Sequence, residues 1–348
     1  MIEIPQSDRK IEIHTPAKRL SVAVVGCGYF GGKRIQACGK IPDEIDLRAV
    51  MDADGSRAAQ AGAAAGVPHF TDLDALLNET EIDAIILAVP NNMHGPMSVQ
   101  ALEAGKHVLC EKPLATRPSE AERIVDAVER CGKFVKTASN HRFFPTVTKA
   151  YELYTSGRIG EILSFRGAIG NDGGLTHDSW FWKKDVAGGG TFIDNACHLL
   201  DIARMFMGDF SMCLGQVANL YWKQAEVEDY ATGIFVTEEG RQALITSSWT
   251  QWTGYFYFEL WGDAGYIFVD SRGADKVTVG DNHKGVVRTY DFGRYPITSH
   301  QDELSYFAKS ITMGEQPVPS AADGLEVIKM IDGVYRSTAE KTWVNLTN

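Results

Sequence analysis

Leu20-Ser21-Val22-Ala23-Val24-Val25-Gly26-Cys27-Gly28-Tyr29-Phe30-Gly31 decides the fold of this chain. The run from Leu20 to Val25 is rich in β-branched residues and reads as a buried strand of a parallel sheet. Gly26, Gly28 and Gly31 then fit the spacing G-x-G-x-x-G. The first glycine permits a tight turn, the second lets a diphosphate approach the backbone, and the third lets the next helix pack on the strand. With Tyr29 and Phe30 they open a helix whose free N–H groups and positive dipole end attract phosphate. Taken alone, the spacing also fits a plain strand-to-helix turn. A second strand, Leu47 to Met51, ends at Asp52, about 20 residues beyond the glycines, where a carboxylate would hold the adenine ribose hydroxyls. The other reading of Asp52 is a solvated residue opening the turn to Gly55. A carboxylate at that position repels a 2′-phosphate, so NAD is expected over NADP, and Arg57 lies close enough to oppose the preference.

The rest of the chain supports this start. Its 348 residues suit one large or two ordinary domains. A net charge of -11 with a pI near 5.3 speaks against nucleic acid or anionic membrane as a partner. No apolar run is long enough to span a bilayer. Met1 to Arg19 lacks a signal-peptide core and reads as a polar extension. Six cysteines without CxxC spacing fit a reduced, cytoplasmic protein better than a disulfide framework.

Up to residue 140 strand and helix alternate, which means a doubly wound parallel sheet. Ile82–Val89, His107–Cys110 and Phe134–Ala138 read as strands. Ser119 with Glu122 forms a capping box, and Gly132 is a C-cap. Beyond residue 141, segments 212–219, 231–236, 243–250, 255–261 and 266–270 have strand composition with few helices between. They predict a large, mostly antiparallel open sheet. Trp249, Trp252, Tyr255, Phe256, Tyr257, Phe258 and Trp261 crowd one part of it. Such a face needs cover from helices or another subunit, so a homodimer or homotetramer through this sheet is expected. The division is an extension over 1–19, a dinucleotide-binding domain over 20–140 and a substrate and assembly domain over 141–348.

Three side chains carry candidate chemistry. Lys112 follows a parallel strand at its C-terminal end, where ligands of open α/β sheets bind, and a cis bond to Pro113 fits there. A lysine after a strand is otherwise a surface residue. Asp194 and His198 have i, i+4 spacing, which places both on one helix face. His198 has the ordinary pKa of a general base near neutrality, and Asp194 could orient its ring. Asp194 is also the N3 residue of a capping box with Thr191. Metal binding by the same pair lacks the usual ligand clusters, and no metal is expected.

With these residues the chain resembles the glucose–fructose oxidoreductase/inositol dehydrogenase (Gfo/Idh/MocA) family. The matching stretches are Val24–Gly31, Ala88–His94, Ala104–Pro113, Asn140–Phe143, Gly189–Asp201 and Pro319–Gly324. The resemblance implies a Rossmann domain and a C-terminal α/β domain on an open sheet. It implies that Lys112, Asp194 and His198 are catalytic, with His198 the base, and that Pro90, Asn91, His94, Glu111 and Asn140 meet the nicotinamide side of the cofactor. Arg142, His177, Trp180 and Trp182 lie in segments that line the substrate cleft in similar proteins. Arg142 would meet a phosphate or carboxylate, or a carboxylate of its own chain. The tryptophans would stack on a sugar or anchor a loop. The implied activity is oxidation of a secondary hydroxyl of a sugar, cyclitol or nucleotide sugar to a ketone. Two alternatives stand beside it: a glycoside hydrolase working through transient NAD reduction, and an NAD-binding regulator without chemistry.

Overall fold

β1 (Leu20–Val25) is buried along almost its whole length, as a strand covered on both faces must be. It is central in a six-stranded parallel sheet of order β3-β2-β1-β4-β5-β6. The structure, a computed structural model, describes residues 19–174, 176–283, 285–294 and 298–347. The expected polar extension thus lies outside the described residues, apart from Arg19. The other members of this layer are α1 (Tyr29–Lys40), β2 (Ile45–Met51), α2 (Gly55–Ala65), β3 (His69–Phe70), α3 (Leu73–Glu79), β4 (Ala84–Leu87), α4 (Asn91–Glu103), β5 (His107–Glu111), α5 (Pro118–Cys131) and β6 (Val135–Ala138). The strand order reverses between β1 and β4, which opens a crevice at their carboxyl ends. Close approach accounts for the glycines. A Cβ on Gly31 would lie 1.8 Å from the Gly26 carbonyl oxygen, and Gly26 itself has φ +91°.

One local expectation is corrected here. Ser119 and Glu122 do not form the capping box of α5. Pro118 starts the helix, which places Ser119 inside its first turn, and no side chain caps it at Arg117. Glu120 instead reaches back to accept the N–H and hydroxyl of Thr116 at 3.2 and 2.7 Å.

The second half is a nine-stranded sheet. Its elements are α6 (Pro145–Thr155), β7 (Ile162–Gly170), α7 (Lys184–Ala187), α8 (Cys197–Met207), β8 (Met212–Ala218), β9 (Tyr230–Val236), β10 (Gln242–Ser248), β11 (Tyr255–Gly262), β12 (Gly265–Asp270), β13 (Lys276–Asp281), β14 (Gly285–Asp291), α9 (Ser299–Met313), α10 (Ala321–Glu340) and β15 (Val344–Asn345). The order is β14-β13-β12-β11-β7-β10-β9-β8-β15. Every pairing is antiparallel except β7 with β10. Alternation splits the aromatic stretch between two faces. Phe256, Phe258 and Leu260 enter the core with Phe165 and Phe206. Trp261, Leu163 and Leu244 stay exposed on the open side.

α9 crosses back from the second half. Leu304, Phe307 and Ala308 pack with Leu20, Val22, Ile86 and Leu109 of the first sheet. Four fully or nearly buried charges lie beneath this contact. Arg34 of α1 donates to Glu111 at 2.6 Å and to Glu303 at 2.8 Å, and Lys136 of β6 donates to Glu303 at 2.7 Å. Burial raises the cost of each charge, and the opposite charges offset it. Glu303→Ala would leave two buried cations with half their partners. It should cost about 3–5 kcal/mol of stability, the scale for breaking a buried pair. Urea unfolding followed by tryptophan fluorescence measures this, and a loss below 1 kcal/mol would show that water reaches the network.

Candidate active site

Lys112 emerges from the end of β5 through a cis peptide bond to Pro113. Its Nζ reaches across to the second half of the chain and donates to the Asp194 carboxylate at 2.7 Å and the Asp194 carbonyl at 2.8 Å. Burial opposes the ammonium charge, but Asp194 outweighs it and holds the Lys112 pKa above the ordinary lysine range.

Asp194 lies on a π-type turn, Phe192–Ala196, that leads directly into α8. Gly190 precedes the turn because nothing larger fits: a Cβ there would sit 1.8 Å from the Glu228 carbonyl oxygen. Glu228 accepts the N–H groups of Gly190 and Phe192 at 2.8 and 3.0 Å and so holds the turn. Two expectations for Asp194 are corrected. It does not close a capping box with Thr191, whose hydroxyl instead pairs with Ser247 at 2.7 Å. Nor does it orient His198, whose Nδ1 is buried with no hydrogen-bond partner. The wide turn breaks the i, i+4 geometry of an α-helix, and the nearby ammonium takes the carboxylate.

His198 stacks on His141 with ring centroids 3.7 Å apart and planes 14° from parallel. His141 comes from the short 3₁₀ turn Asn140–Phe143 that follows β6. His300, at the start of α9, adds a third imidazole whose Nδ1 is also buried and unpartnered. Burial, the neighbouring His141 and the Lys112 charge push the His198 pKa well below its ordinary value. Burial, Lys112 and His300 push His141 down to about 3. Burial and Arg34 lower His300. Neither His141 nor His300 carried a role in the sequence reading. No motif marks His300, and its place depends on the return of α9.

The glycine turn suits a dinucleotide. A Cβ on Gly28 would meet nothing within 4 Å, so the backbone there faces open space of the kind a diphosphate needs. No side chain caps α1 at Gly28, and Tyr29, with Phe30 edge-on at 5.2 Å, is exposed beside it. Asp52 accepts the Cys27 N–H at 2.8 Å, with Arg57 Nη1 at 3.4 Å. It therefore braces the turn. Other expected cofactor residues are turned to the protein itself. Glu111 accepts from Arg34. Asn91, just after Pro90 at the N-cap of α4, donates to the Ala187 carbonyl at 2.9 Å. Asn140 donates to the Ser299 hydroxyl at 2.9 Å. His94 lies between the Pro113 and Val89 carbonyls at 2.6 and 3.0 Å.

The expected substrate residues divide. Arg142 meets a carboxylate of its own chain: Asp201 takes its guanidinium through two bonds of 2.7 Å. Trp182 is a buried loop anchor whose Nε1–H donates to the Thr176 hydroxyl at 3.2 Å. Trp180 stacks on Phe181, and half-exposed His177 packs against Trp182 and Trp222.

Residues 20–139 match the model of an oxidoreductase family with an NAD-binding Rossmann fold, and residues 147–268 match the Gfo/Idh/MocA C-terminal domain. The chain belongs to the Gfo/Idh/MocA family. Within this family it is 27% identical to levoglucosan dehydrogenase of Pseudarthrobacter phenanthrenivorans, over 94% of this chain and 98% of that one. It is 26% identical to myo-inositol 2-dehydrogenase of Thermotoga maritima, with the same coverages. The fold is similar to that of levoglucosan dehydrogenase in complex with NADH and levoglucosan, with a TM-score of 0.87 at 26% identity over 95% of this chain and 100% of that one. As a family member the chain is an NAD-binding oxidoreductase of the sugar and cyclitol dehydrogenase class.

The depressed His198 pKa has a direct consequence for this Gfo/Idh/MocA site. The resemblance makes His198 the expected base, and a base must be neutral to accept a proton. His198, facing Lys112, His141 and His300, stays neutral well below the ordinary value of 6.5. Alcohol oxidation should therefore hold a flat kcat/KM as pH falls from 8 through about 6.5, the usual histidine midpoint, and drop only at lower pH. A profile that halves near 6.5 would show a ring in ordinary contact with water.

Proposed function

We propose that the chain oxidises a secondary hydroxyl of an uncharged sugar or cyclitol to a ketone. The observation that carries this reading is the meeting of Lys112, Asp194 and His198 at the carboxyl end of β5. Bound NAD supplies the hydride acceptor. The substrate carbon loses its hydrogen as hydride, its hydroxyl proton passes to Nε2 of His198, and the C–O bond becomes a carbonyl. Lys112 stabilises the oxygen as negative charge develops on it, in a site already shaped for that charge. Asp194 holds the ammonium in place and offsets its burial. The closure of Arg142 by Asp201 favours an uncharged substrate over a nucleotide sugar.

The test is a panel of sugars, glycosides and inositols with NAD, followed by NADH absorbance. Lys112→Met should lower kcat about 100- to 1,000-fold, as for loss of one preorganised donor. NAD affinity should change little, because the diphosphate belongs to the glycine turn. His198→Asn should cost about 100- to 10,000-fold. Near-wild-type turnover in both variants would remove the proposed roles. Sugar cleavage without net NADH would point to the hydrolase alternative, and NAD binding without turnover to the regulator.

We also propose assembly through the nine-stranded sheet, as a homodimer or homotetramer. Leu163, Leu244 and Trp261 are exposed on its open face, where Tyr266 and Phe268 pack beside Trp261. Water contact with this surface costs about 25 cal/mol per Å². Light scattering at micromolar concentration should give a dimeric or tetrameric mass, reduced by Trp261→Glu; a wild-type monomer would overturn the proposal. Six unpaired cysteines support a reducing, cytoplasmic setting.

A further inference from the structure

His141 is packed among aromatic rings. Its ring lies between His198 at 3.7 Å and Phe144 at 4.3 Å, with Phe256 edge-on at 5.2 Å. It cannot swing away without opening a cavity among these rings. Nδ1 of both histidines is buried and without a hydrogen-bond partner. That leaves Nε2 as the atom through which each ring can meet a ligand. Through Nε2 each neutral ring offers a ligand one hydrogen bond, as donor or acceptor according to its tautomer, and a hydroxyl group can answer either.

The spacing narrows the ligand. Rings stacked nearly parallel with centroids 3.7 Å apart keep the edges of the two imidazoles side by side. Hydroxyls on adjacent carbons keep their oxygens about 3 Å apart, near hydrogen-bond distance. We propose that His141 and His198 form a paired grip for a vicinal diol. His198 takes the hydroxyl that is oxidised, and His141 binds the hydroxyl on the neighbouring carbon. His141 is thus a specificity-determining residue, and its ligand class is an uncharged polyol with hydroxyls on adjacent carbons. This rests on the dehydrogenase reading for the role of His198, but the grip itself is a binding property.

The experiment reads binding to the enzyme–NADH complex, where no oxidation can occur. The probes are hexoses, methyl glycosides, 1,6-anhydro sugars and inositols, each beside its monodeoxy analogues, titrated by calorimetry into wild type and His141→Phe. Phenylalanine keeps the stack and removes the nitrogens. Unchanged NADH affinity shows that the variant is folded. In wild type, at least one polyol should bind ten times or more tighter than the analogue lacking the hydroxyl next to the reacting carbon. His141→Phe should erase that ratio by weakening the parent polyol, and His141→Gln should restore part of it. The proposal is overturned if the variant keeps the ratio, if it weakens parent and analogue equally, or if no polyol binds at millimolar concentration. A ratio that depends on His141 without NADH formation from any polyol would remove the dehydrogenase reading and leave the grip standing. NADH formation with parent and deoxy analogues bound equally would remove the grip alone.

Discussion

Glu303 lies buried between Arg34 and Lys136, and much of the active-site architecture depends on that arrangement. A carboxylate without water must be matched by cations at hydrogen-bond distance, which fixes where α9 sits against α1 and β6. The same Arg34 holds Glu111, the residue before Lys112. The cation that reaches Asp194 therefore stands on a strand end braced from beneath. α9 also brings Ser299 to Asn140 and places His300 near the site. A helix late in the chain thus completes a surface begun by the first sheet.

Electrostatic closure runs through the whole site. Lys112 is matched by Asp194, Arg142 by Asp201, and Arg34 with Lys136 by Glu111 with Glu303. With the charges satisfied internally, burial dominates the histidines and keeps them neutral. Neutral rings bind hydroxyls and accept a proton, whereas charged rings would attract anions. The proposed preference for polyols rests on charges that are spent on one another.

Short-range patterns made the frame legible. The β-branched run before Gly26, the apolar strands up to Ala138 and the alternating strands after Tyr230 each record a local burial requirement in the residues themselves. The glycines at 26, 28 and 31 record close approach or open space that holds wherever the turn is placed. Lys112 and His198 could be singled out because their motifs bring unusual chemistry to strand and helix ends. β13 and β14 were less readable, since β14 is almost wholly exposed and carries no clear alternation.

Partner choice belonged to the tertiary structure. The sequence offered Asp194 the partners His198 and Thr191, and it takes neither: Lys112, 82 residues away, holds its carboxylate. For Arg142 the sequence left a ligand anion and a carboxylate of its own chain open, and α8 brings Asp201 to it; for Trp182 it left a sugar platform and a loop anchor open, and its loop folds over it. The His141–His198 stack has no sequence signal, because neither periodicity nor spacing links a turn after β6 to a helix after a π-type bend. Local propensity and burial are properties of neighbouring residues and can be read along the chain. A hydrogen bond or ring stack between distant segments goes to whichever group the assembled sheets bring within about 3–4 Å, and only the folded chain determines that.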